Sequence, residues 1–179
     1  MAQVILLNGP SSSGKSTLAR AVQAKADPPF WHISLDHLRD GGILPMDRFR
    51  SGDLDWKAHR ARVFDGLHAM ASAAADADNN LIFYHILEEQ VWIDTLKTSL
   101  AGHDVLFVGV YCDLDVLNTR ERERGDRPIG SAALDHALIH VGRTYDIKVD
   151  GTAPVQTNVD AILKGLNGGR RVSELHTAR

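Results

Sequence analysis

Short apolar runs alternate with amphipathic stretches along almost the whole chain. The apolar runs cover residues 4–7, 30–35, 81–87, 105–111 and 147–149. Runs of this length that are rich in branched residues and end at polar or glycine-containing turns are typical of buried parallel strands. The run at 105–111 is apolar throughout, and we therefore expect it in the centre of a sheet.

Between these runs, apolar residues recur at the three- and four-residue spacing of helices. One helical stretch begins near residue 15, and the others cover residues 55–75, 90–100, 114–124, 132–140 and 155–166. Residues 40–53 contain three glycines and a proline without clear periodicity, so we predict a loop or lid there.

The order of these elements predicts the fold class. Strands that alternate with helices form a parallel sheet whose two faces are both covered. We therefore predict a three-layer α/β/α fold with a five-stranded parallel sheet, in a single domain over residues 1–167. Residues 167–169 read Asn-Gly-Gly and open a basic segment, so we expect residues 168–179 to be a frayed tail.

Composition and charge exclude several classes of protein. The 179 residues carry a formal net charge of −3, which supplies no basic field for nucleic acid or for an anionic membrane. No apolar run approaches the roughly 20 residues that span a bilayer. The single cysteine, Cys112, cannot form an internal disulfide, which fits a reducing compartment, and we expect a cytoplasmic enzyme. The oligomeric state stays open, a homo-oligomer included.

The segment Gly9-Pro10-Ser11-Ser12-Ser13-Gly14-Lys15-Ser16 matches the phosphate-binding loop G-x-x-x-x-G-K-[ST] at every fixed position. Glycines at its two ends allow a close approach and backbone angles that a Cβ would forbid. The loop amides and the positive end of the following helix then form an anion site. Lys15 can bridge the outer phosphates, and the Ser16 hydroxyl can ligate Mg²⁺.

This motif predicts a P-loop NTPase fold that binds ATP and Mg²⁺. Residues predicted to contact the nucleotide are Gly9, Pro10, Ser11, Ser12, Ser13, Gly14, Lys15, Ser16, Thr17 and Arg120, with Ser16 as the metal ligand.

Asp36 is the candidate catalytic residue on the substrate side. It follows the strand predicted at 30–35, and ligands of open α/β sheets bind beyond the carboxyl ends of the strands. A carboxylate there can accept a substrate hydroxyl's hydrogen bond and orient the hydroxyl toward the γ-phosphate. Aspartate is also favoured at helix N-caps, and the sequence leaves both interpretations open.

Four arginines lie within residues 120–127. On an exposed helix, alternating charges usually form ion pairs between successive turns and nothing more. Here the run reaches a glycine- and proline-containing break, and small kinases often place arginines on a closing lid to neutralise the transferring phosphoryl group. We predict catalytic phosphate contacts from Arg124 and Arg127, together with Lys15.

Several segments together resemble the chloramphenicol phosphotransferase family of P-loop kinases. They are residues 5–9 with Ser11-Ser12, 35–38, 108–113, 120–127, and 145–150 with His140, so that the resemblance extends over about residues 3–166. The resemblance implies ATP, Mg²⁺ and transfer to an alcohol hydroxyl, which confers antibiotic resistance in the namesake enzyme. It also implies that Asp36 is the base, that Lys15 and Ser16 contact phosphate and metal, and that Arg124 and Arg127 lie in the lid.

One position departs from the family pattern. Where the family has acidic residues at the end of the third strand, this chain has Tyr84-His85. The sequence therefore supports a kinase that phosphorylates a small-molecule hydroxyl, with chloramphenicol or a related antibiotic as the first candidate. A metabolic kinase for a sugar acid, nucleoside or cofactor precursor is one alternative. The other is a nucleotide-binding regulatory protein without acceptor turnover, which the Tyr84-His85 departure favours.

Overall fold

The structure is a computed structural model that describes residues 1–124 and 130–176. Its strands are β1 (Gln3–Asn8), β2 (Phe30–Ser34), β3 (Asn80–His85), β4 (Asp104–Tyr111) and β5 (Ile147–Asp150). Within the described residues they form one sheet in the order β2-β3-β1-β4-β5, and all four pairings are parallel. The predicted five-stranded parallel sheet is confirmed.

Helices follow the strands along the chain. They are α1 (Lys15–Lys25), α2 (Leu35–Asp40), α3 (Met46–Arg50), α4 (Trp56–Asp76), α5 (Gln90–Ser99), α6 (Leu114–Arg124), α7 (Ser131–Leu138) and α8 (Val155–Gly168). None of the helices in the described ranges has the length and apolar character that a membrane crossing requires.

Two hydrophobic clusters, one on each face of the sheet, hold the layers together. Val4 and Leu6 of β1 pack into the cluster that contains α4 and α5, whereas Ile5 and Leu7 pack into the cluster that contains α1 and α8. All four of these side chains are fully buried. Because successive side chains of a strand point to opposite faces, a continuous apolar run is what a strand covered on both faces needs. The three-layer α/β/α prediction is therefore confirmed.

The structure differs from the predicted elements at the central strand and in the segment at 40–53. The apolar run at 105–111 belongs to β4, which lies between β1 and β5, and β1 occupies the centre of the described sheet instead. Burial on both faces makes any interior strand apolar, so composition does not distinguish the central strand from its neighbour. The segment at 40–53, predicted as a loop, contains the short helix α3.

The strand register brings the polar strand ends together. Asn8 of β1 lies beside His85 of β3 and beside Gly109 of β4, and Ser34 of β2 lies beside Tyr84. All of these residues are at the carboxyl edge of the sheet, where open α/β folds bind their ligands.

The segment that follows α8 is packed against the protein. Leu175 and Ser173 are buried, and Asp146 accepts hydrogen bonds from the backbone amides of Val172 and Ser173. The expected frayed tail is therefore not observed for residues 170–176. The glycines at 168 and 169 end the helix, but the side chains beyond them find apolar and acidic partners that sequence order does not show. Residues 177–179 lie outside the described part of the chain.

Arg171 anchors this segment and provides a test of it. Its guanidinium donates to both carboxylate oxygens of Asp104, at 2.8 and 3.0 Å, and to the carbonyls of Gly165 and Leu166. We expect Arg171→Ala to lower the free energy of unfolding by about 2 kcal/mol, because charge-assisted hydrogen bonds are lost and Asp104 loses its partner. Urea denaturation measures the change.

Arg170→Ala is the matched control, because Arg170 is the exposed neighbour. We expect its unfolding free energy to stay within about 0.5 kcal/mol of the parent value. Equal effects of the two substitutions would show that the segment does not dock through Arg171.

Candidate active site

The phosphate loop occupies the connection from β1 to α1. A Cβ on Gly9 would lie 2.4 Å from the Val110 carbonyl oxygen, so the loop can pass this close to β4 only with glycine. Gly14 has a φ of +91°, in the left-handed region that glycine adopts without strain, and it immediately precedes α1. The two glycines of the motif therefore serve the two purposes predicted for them.

Lys15 lies at the first position of α1 and is buried. Its ammonium donates to the carbonyls of Gly9 and Pro10, at 2.7 and 2.6 Å. The charge is thus held inside the curve of the loop, beside the positive end of α1, where an anionic group would be stabilised.

The loop already binds one carboxylate. The amide of Ser11 donates to a carboxylate oxygen of Asp135, on α7, at 2.8 Å. This contact shows that a loop amide presents its hydrogen to an anion, as the predicted anion site requires. Sequence reasoning missed Asp135, because it lies on a helix that carries no motif.

Arg120 joins the loop to the turn after β5. Its guanidinium donates to the Gly151 carbonyl at 3.1 Å and to the Ser12 carbonyl at 3.4 Å. A Cβ on Gly151 would lie 2.4 Å from the Ser13 carbonyl oxygen, so the turn and the loop are in close contact. The structure therefore brings Arg120 to the predicted nucleotide side. Arg124 lines the same cavity, whereas Arg127 lies outside the described residues.

Glu121 belongs to the run of alternating charges in α6, and the sequence pattern did not single it out. It is buried, and its carboxylate accepts from the backbone amides of Gly130 and Ala132, at 2.7 and 2.8 Å. These amides open α7, so Glu121 caps that helix and ties it to the arginine-bearing helix α6. The sequence pattern resembled an exposed face because only the fold shows which charged residue points inward.

Asn8 is a second residue that sequence reasoning did not single out. Its buried amide donates to the Tyr145 hydroxyl at 2.9 Å and accepts from the Leu87 amide at 3.0 Å. Tyr145 packs on Gly109, where an added Cβ would lie 2.7 Å from the tyrosine ring. These contacts fix the end of β1, and with it the start of the phosphate loop, against both neighbouring strands.

A cavity of about 760 Å³ extends from the phosphate loop to α3 and α4. On one side it is lined by the loop, Arg120 and the residues after β5. On the other side it is lined by α2, α3, the first turns of α4 and the end of β3. We call these the nucleotide side and the acceptor side.

Asp36 lies on the acceptor side, and neighbouring side chains hold its carboxylate. It accepts from the Tyr84 hydroxyl at 2.8 Å and from the Arg39 guanidinium at 3.5 Å. Burial raises the pKa of Tyr84 to about 12, so the phenol stays protonated and keeps donating. Because α2 begins at Leu35, its N-cap is Ser34 and Asp36 lies in the first turn. The N-cap interpretation of Asp36 is therefore wrong.

His85 follows Tyr84 and lines the same cavity. Burial, followed by the nearby His68, lowers the pKa of His85 to about 3. The imidazole is therefore neutral at neutral pH and is too weak a base to take a substrate proton. Its ring packs against Phe64, His68 and Trp92, with centroids 4.6 to 5.1 Å apart.

Comparison with known proteins agrees with this geometry. The family model for chloramphenicol phosphotransferase-like proteins matches residues 2–165. The chain belongs to this family. It is a phosphotransferase of the kinase type, as the phosphate loop and the resemblance predicted. A Mycobacterium tuberculosis protein that carries the provisional name O-phosphotransferase is 30% identical over 170 residues, covering 84% of this chain and 76% of the relative.

Solved kinase structures share the fold of this family member. The APS kinase of Mycobacterium tuberculosis, in complex with AMPPNP and APS, superposes with a TM-score of 0.72 at 18% identity and covers 93% of this chain and 98% of its own. A Janibacter sugar kinase gives 0.70 at 18% identity, with 99% and 100% coverage. Shikimate kinase of Aquifex aeolicus gives 0.65 at 19% identity, with 92% and 96% coverage. At these identities the likeness establishes the fold alone.

Gly151 offers a test of the contact between the phosphate loop and the turn after β5. We expect Gly151→Ala to weaken Mg-ATP binding by about tenfold, because the new methyl group must displace the Ser13 carbonyl or the turn itself. Isothermal titration with Mg-ATP measures the affinity. Gly66→Ala is the control: the added Cβ would meet nothing within 4 Å, and we expect unchanged affinity. Unweakened binding by Gly151→Ala would contradict the assigned contact.

The buried histidines predict how stability depends on pH. Neither ring nitrogen of His68 has a hydrogen-bond partner in the described part of the chain, and burial lowers its pKa from 6.5 to about 4. Below about pH 6.5 the unfolded chain takes up a proton that the folded protein does not, so stability falls as the pH falls toward about 4. At about pH 5.5 this costs about 1.4 kcal/mol for one such histidine.

We expect His68→Phe to lessen the loss of unfolding free energy between about pH 7.5 and pH 5.5 by that amount. Chemical denaturation at the two pH values measures it, with the exposed His136→Gln as control. If the parent and His68→Phe lose the same stability, His68 accepts its proton in the folded state and the assignment is wrong.

Proposed function

We propose that this protein is an ATP-dependent kinase that transfers the γ-phosphate to an alcohol hydroxyl of a small molecule. One observation carries the proposal: a single cavity joins the phosphate loop to an aspartate held by a protonated tyrosine. The phosphate loop can bind a polyphosphate, and the aspartate can accept the proton of a hydroxyl group. A kinase needs both sites in one cavity, so that the two substrates come into contact.

The nucleotide side supports ATP as phosphoryl donor. In this proposal Lys15 exchanges its carbonyl partners for phosphate oxygens, and the loop amides from Ser11 to Thr17 surround the outer phosphates. Arg120 and Arg124 line the same cavity and would neutralise charge on the phosphoryl group in transfer. Gly151 and the residues after it would contact the base. Arg127 keeps its proposed role in the lid on sequence grounds.

The residues on this side also fit Mg²⁺. Ser16 lies in the first turn of α1 and lines the cavity directly beside Lys15, where its hydroxyl could serve as a metal ligand. Mg²⁺ in phosphoryl-transfer enzymes is held chiefly by substrate phosphates and water, with few protein ligands. When bound, it would neutralise charge on the phosphates.

The acceptor side supports Asp36 as the base. In the proposed step the acceptor oxygen bonds to the γ-phosphorus while the bond from that phosphorus to the ADP oxygen breaks. The hydroxyl proton passes to Asp36, whose carboxylate is oriented by Tyr84. Tyr84 keeps its own proton, because its pKa of about 12 is far above neutral. The Tyr84-His85 departure from the family pattern thus provides a positioning group for Asp36.

The chemical identity of the acceptor is the finer part of this proposal. Chloramphenicol or a related antibiotic remains the first candidate, since the family is named for that activity and the acceptor side has aromatic walls at Phe49, Trp56 and Phe64. A metabolic acceptor such as a sugar acid, nucleoside or cofactor precursor is the alternative. A regulatory protein without turnover has lost its main support, because Tyr84 contacts Asp36.

ADP release with Mg-ATP tests the proposal, first alone and then with hydroxylated compounds that include chloramphenicol. Mass spectrometry then looks for an added phosphoryl group in each compound that stimulates release. A phosphorylated product supports the kinase and names its substrate class. Tight Mg-ATP binding without a product from any acceptor would instead support a nucleotide-binding regulatory protein.

Asp36→Asn tests the proposed base. We expect kcat to fall by about 100-fold or more while Mg-ATP affinity stays within about twofold, because an amide cannot accept the hydroxyl proton. Steady-state kinetics and titration calorimetry measure the two effects. Asp40→Asn, an exposed aspartate at the end of the same short helix, is the matched control and should keep kcat. A collapse of nucleotide affinity in Asp36→Asn would assign Asp36 a structural role.

A further inference from the structure

Three arginines line the acceptor side of the cavity: Arg39, Arg50 and Arg60. Two carboxylates, Asp36 and Glu88, line the same side. On the nucleotide side, Lys15, Arg120 and Arg124 line the cavity beside the phosphate loop, and the proposed function assigns them to the nucleotide. What the acceptor-side arginines already bind decides which of them is available to a substrate.

Arg60 is committed to the protein. It forms ion pairs with Glu88 and with Glu89, the latter at 2.7 Å. Its guanidinium also lies over the rings of Phe64 and Trp92, 5.1 and 4.7 Å from their centroids. A planar guanidinium with two carboxylates at its edge and two rings at its face has its binding surfaces occupied. Arg60 therefore joins α4 to the segment before α5.

Arg50 is mostly in solvent. Its side chain is 64% exposed, and its partner Asp47 is 98% exposed. Exposed pairs of this kind are screened by water and contribute little binding energy. Arg50 can attract an anion to the mouth of the cavity but is poorly placed to select one.

Arg39 differs from both. Its side chain is only 22% exposed, and it donates to Asp36 at 3.5 Å, the long end of the hydrogen-bond range. Arginine carries five N–H donors in a rigid fork that matches a carboxylate or a phosphate oxygen pair. A guanidinium removed from bulk water with one long contact gains strongly from a second anion.

We propose that Arg39 anchors an anionic group of the acceptor, so that the substrate is a small hydroxy acid of the metabolic class and not a neutral antibiotic such as chloramphenicol. This inference rests on the proposed kinase function and names its substrate class. Arg39 lies one helical turn after Asp36, so a single compact molecule can present its hydroxyl to the carboxylate and its acidic group to the guanidinium. The acidic group and the hydroxyl are therefore close together in the acceptor.

The remaining walls describe the rest of the acceptor. Phe49 of α3 and Trp56 of α4 meet edge to face, with ring centroids 5.3 Å apart, and Met46 lies beside them along the cavity. These side chains add apolar surface to the cavity that Asp36 and Arg39 also line. A hydroxy acid with an apolar body fits both sets of contacts.

Matched pairs of acceptors test this inference. 3-Phenyllactate and glycerate are each compared with their neutral methyl esters, with Mg-ATP for turnover and with Mg-ADP for calorimetric binding. We expect the acids to bind at least about tenfold more tightly than their esters. We expect Arg39→Gln to raise KM and Kd for the acids by about tenfold to 100-fold, the scale of a charge-assisted hydrogen bond. The affinity for Mg-ATP should not change.

Two variants separate this role from a structural one. Arg39→Lys keeps the charge and should recover part of the preference for acid over ester. Arg48→Gln removes an exposed arginine of α3 that pairs with Asp53 outside the cavity lining, and it should keep the parent preference. Thermal melting of all three variants checks that each is folded.

The outcomes distinguish the inference from the function on which it rests. Two results would overturn the anion anchor and leave the kinase function intact. One is that the neutral esters are phosphorylated as efficiently as the acids. The other is that Arg39→Gln weakens the binding of acids and esters equally. Absence of Arg39-dependent binding by either acid would also overturn it. Arg39-dependent binding of an acid without any phosphorylated product would support the anchor and count against the kinase.

Discussion

The parallel pairing of β1 with β3 on one side and β4 on the other is the constraint on which the rest of the molecule depends. It aligns Asn8, the last residue of β1, with His85, the last residue of β3, and with Gly109 of β4, which continues for two more residues. After β1 the chain turns into α1 directly beside β4. At Gly9 it passes so close to the Val110 carbonyl oxygen that no side chain fits there. The anion site exists because the loop is compressed between a strand end and a helix start.

Around this edge, charged groups are buried only where they have partners. Lys15 donates to loop carbonyls, Glu121 accepts from the amides that open α7, and Asp36 accepts from Tyr84 and Arg39. The desolvation of a charge is costly, so each of these contacts has to form together with the fold. The same contacts orient the groups for chemistry. Of the three acceptor-side arginines, Arg39 combines a side chain that is largely shielded from water with a single long contact, which is why we propose it as the anchor of the acceptor.

In the proposed function, the Tyr84-His85 departure from the family pattern supplies a group that positions Asp36. Both residues are buried, His85 beside Phe64 and Trp92 and Tyr84 beside His32 on the other face of the sheet. Burial keeps Tyr84 protonated and His85 neutral. A protonated phenol next to a carboxylate is a hydrogen-bond donor that a carboxylate at the same position would not be at neutral pH. The site therefore keeps Asp36 oriented by a neutral group.

Local sequence determined the fold class, the phosphate loop and the bounds of most helices and strands. These features depend on neighbouring residues: on the apolar runs, on the spacing of Gly9, Gly14 and Lys15, and on the α6 pattern. Only the tertiary structure decided that β1 is central and that residues 170–176 pack against the protein. It also decided that Glu121 points inward and that Tyr84 contacts Asp36 across 48 positions of the chain. These outcomes depend on strand order and on burial, and contacts between distant residues leave no periodicity in the sequence to reveal them.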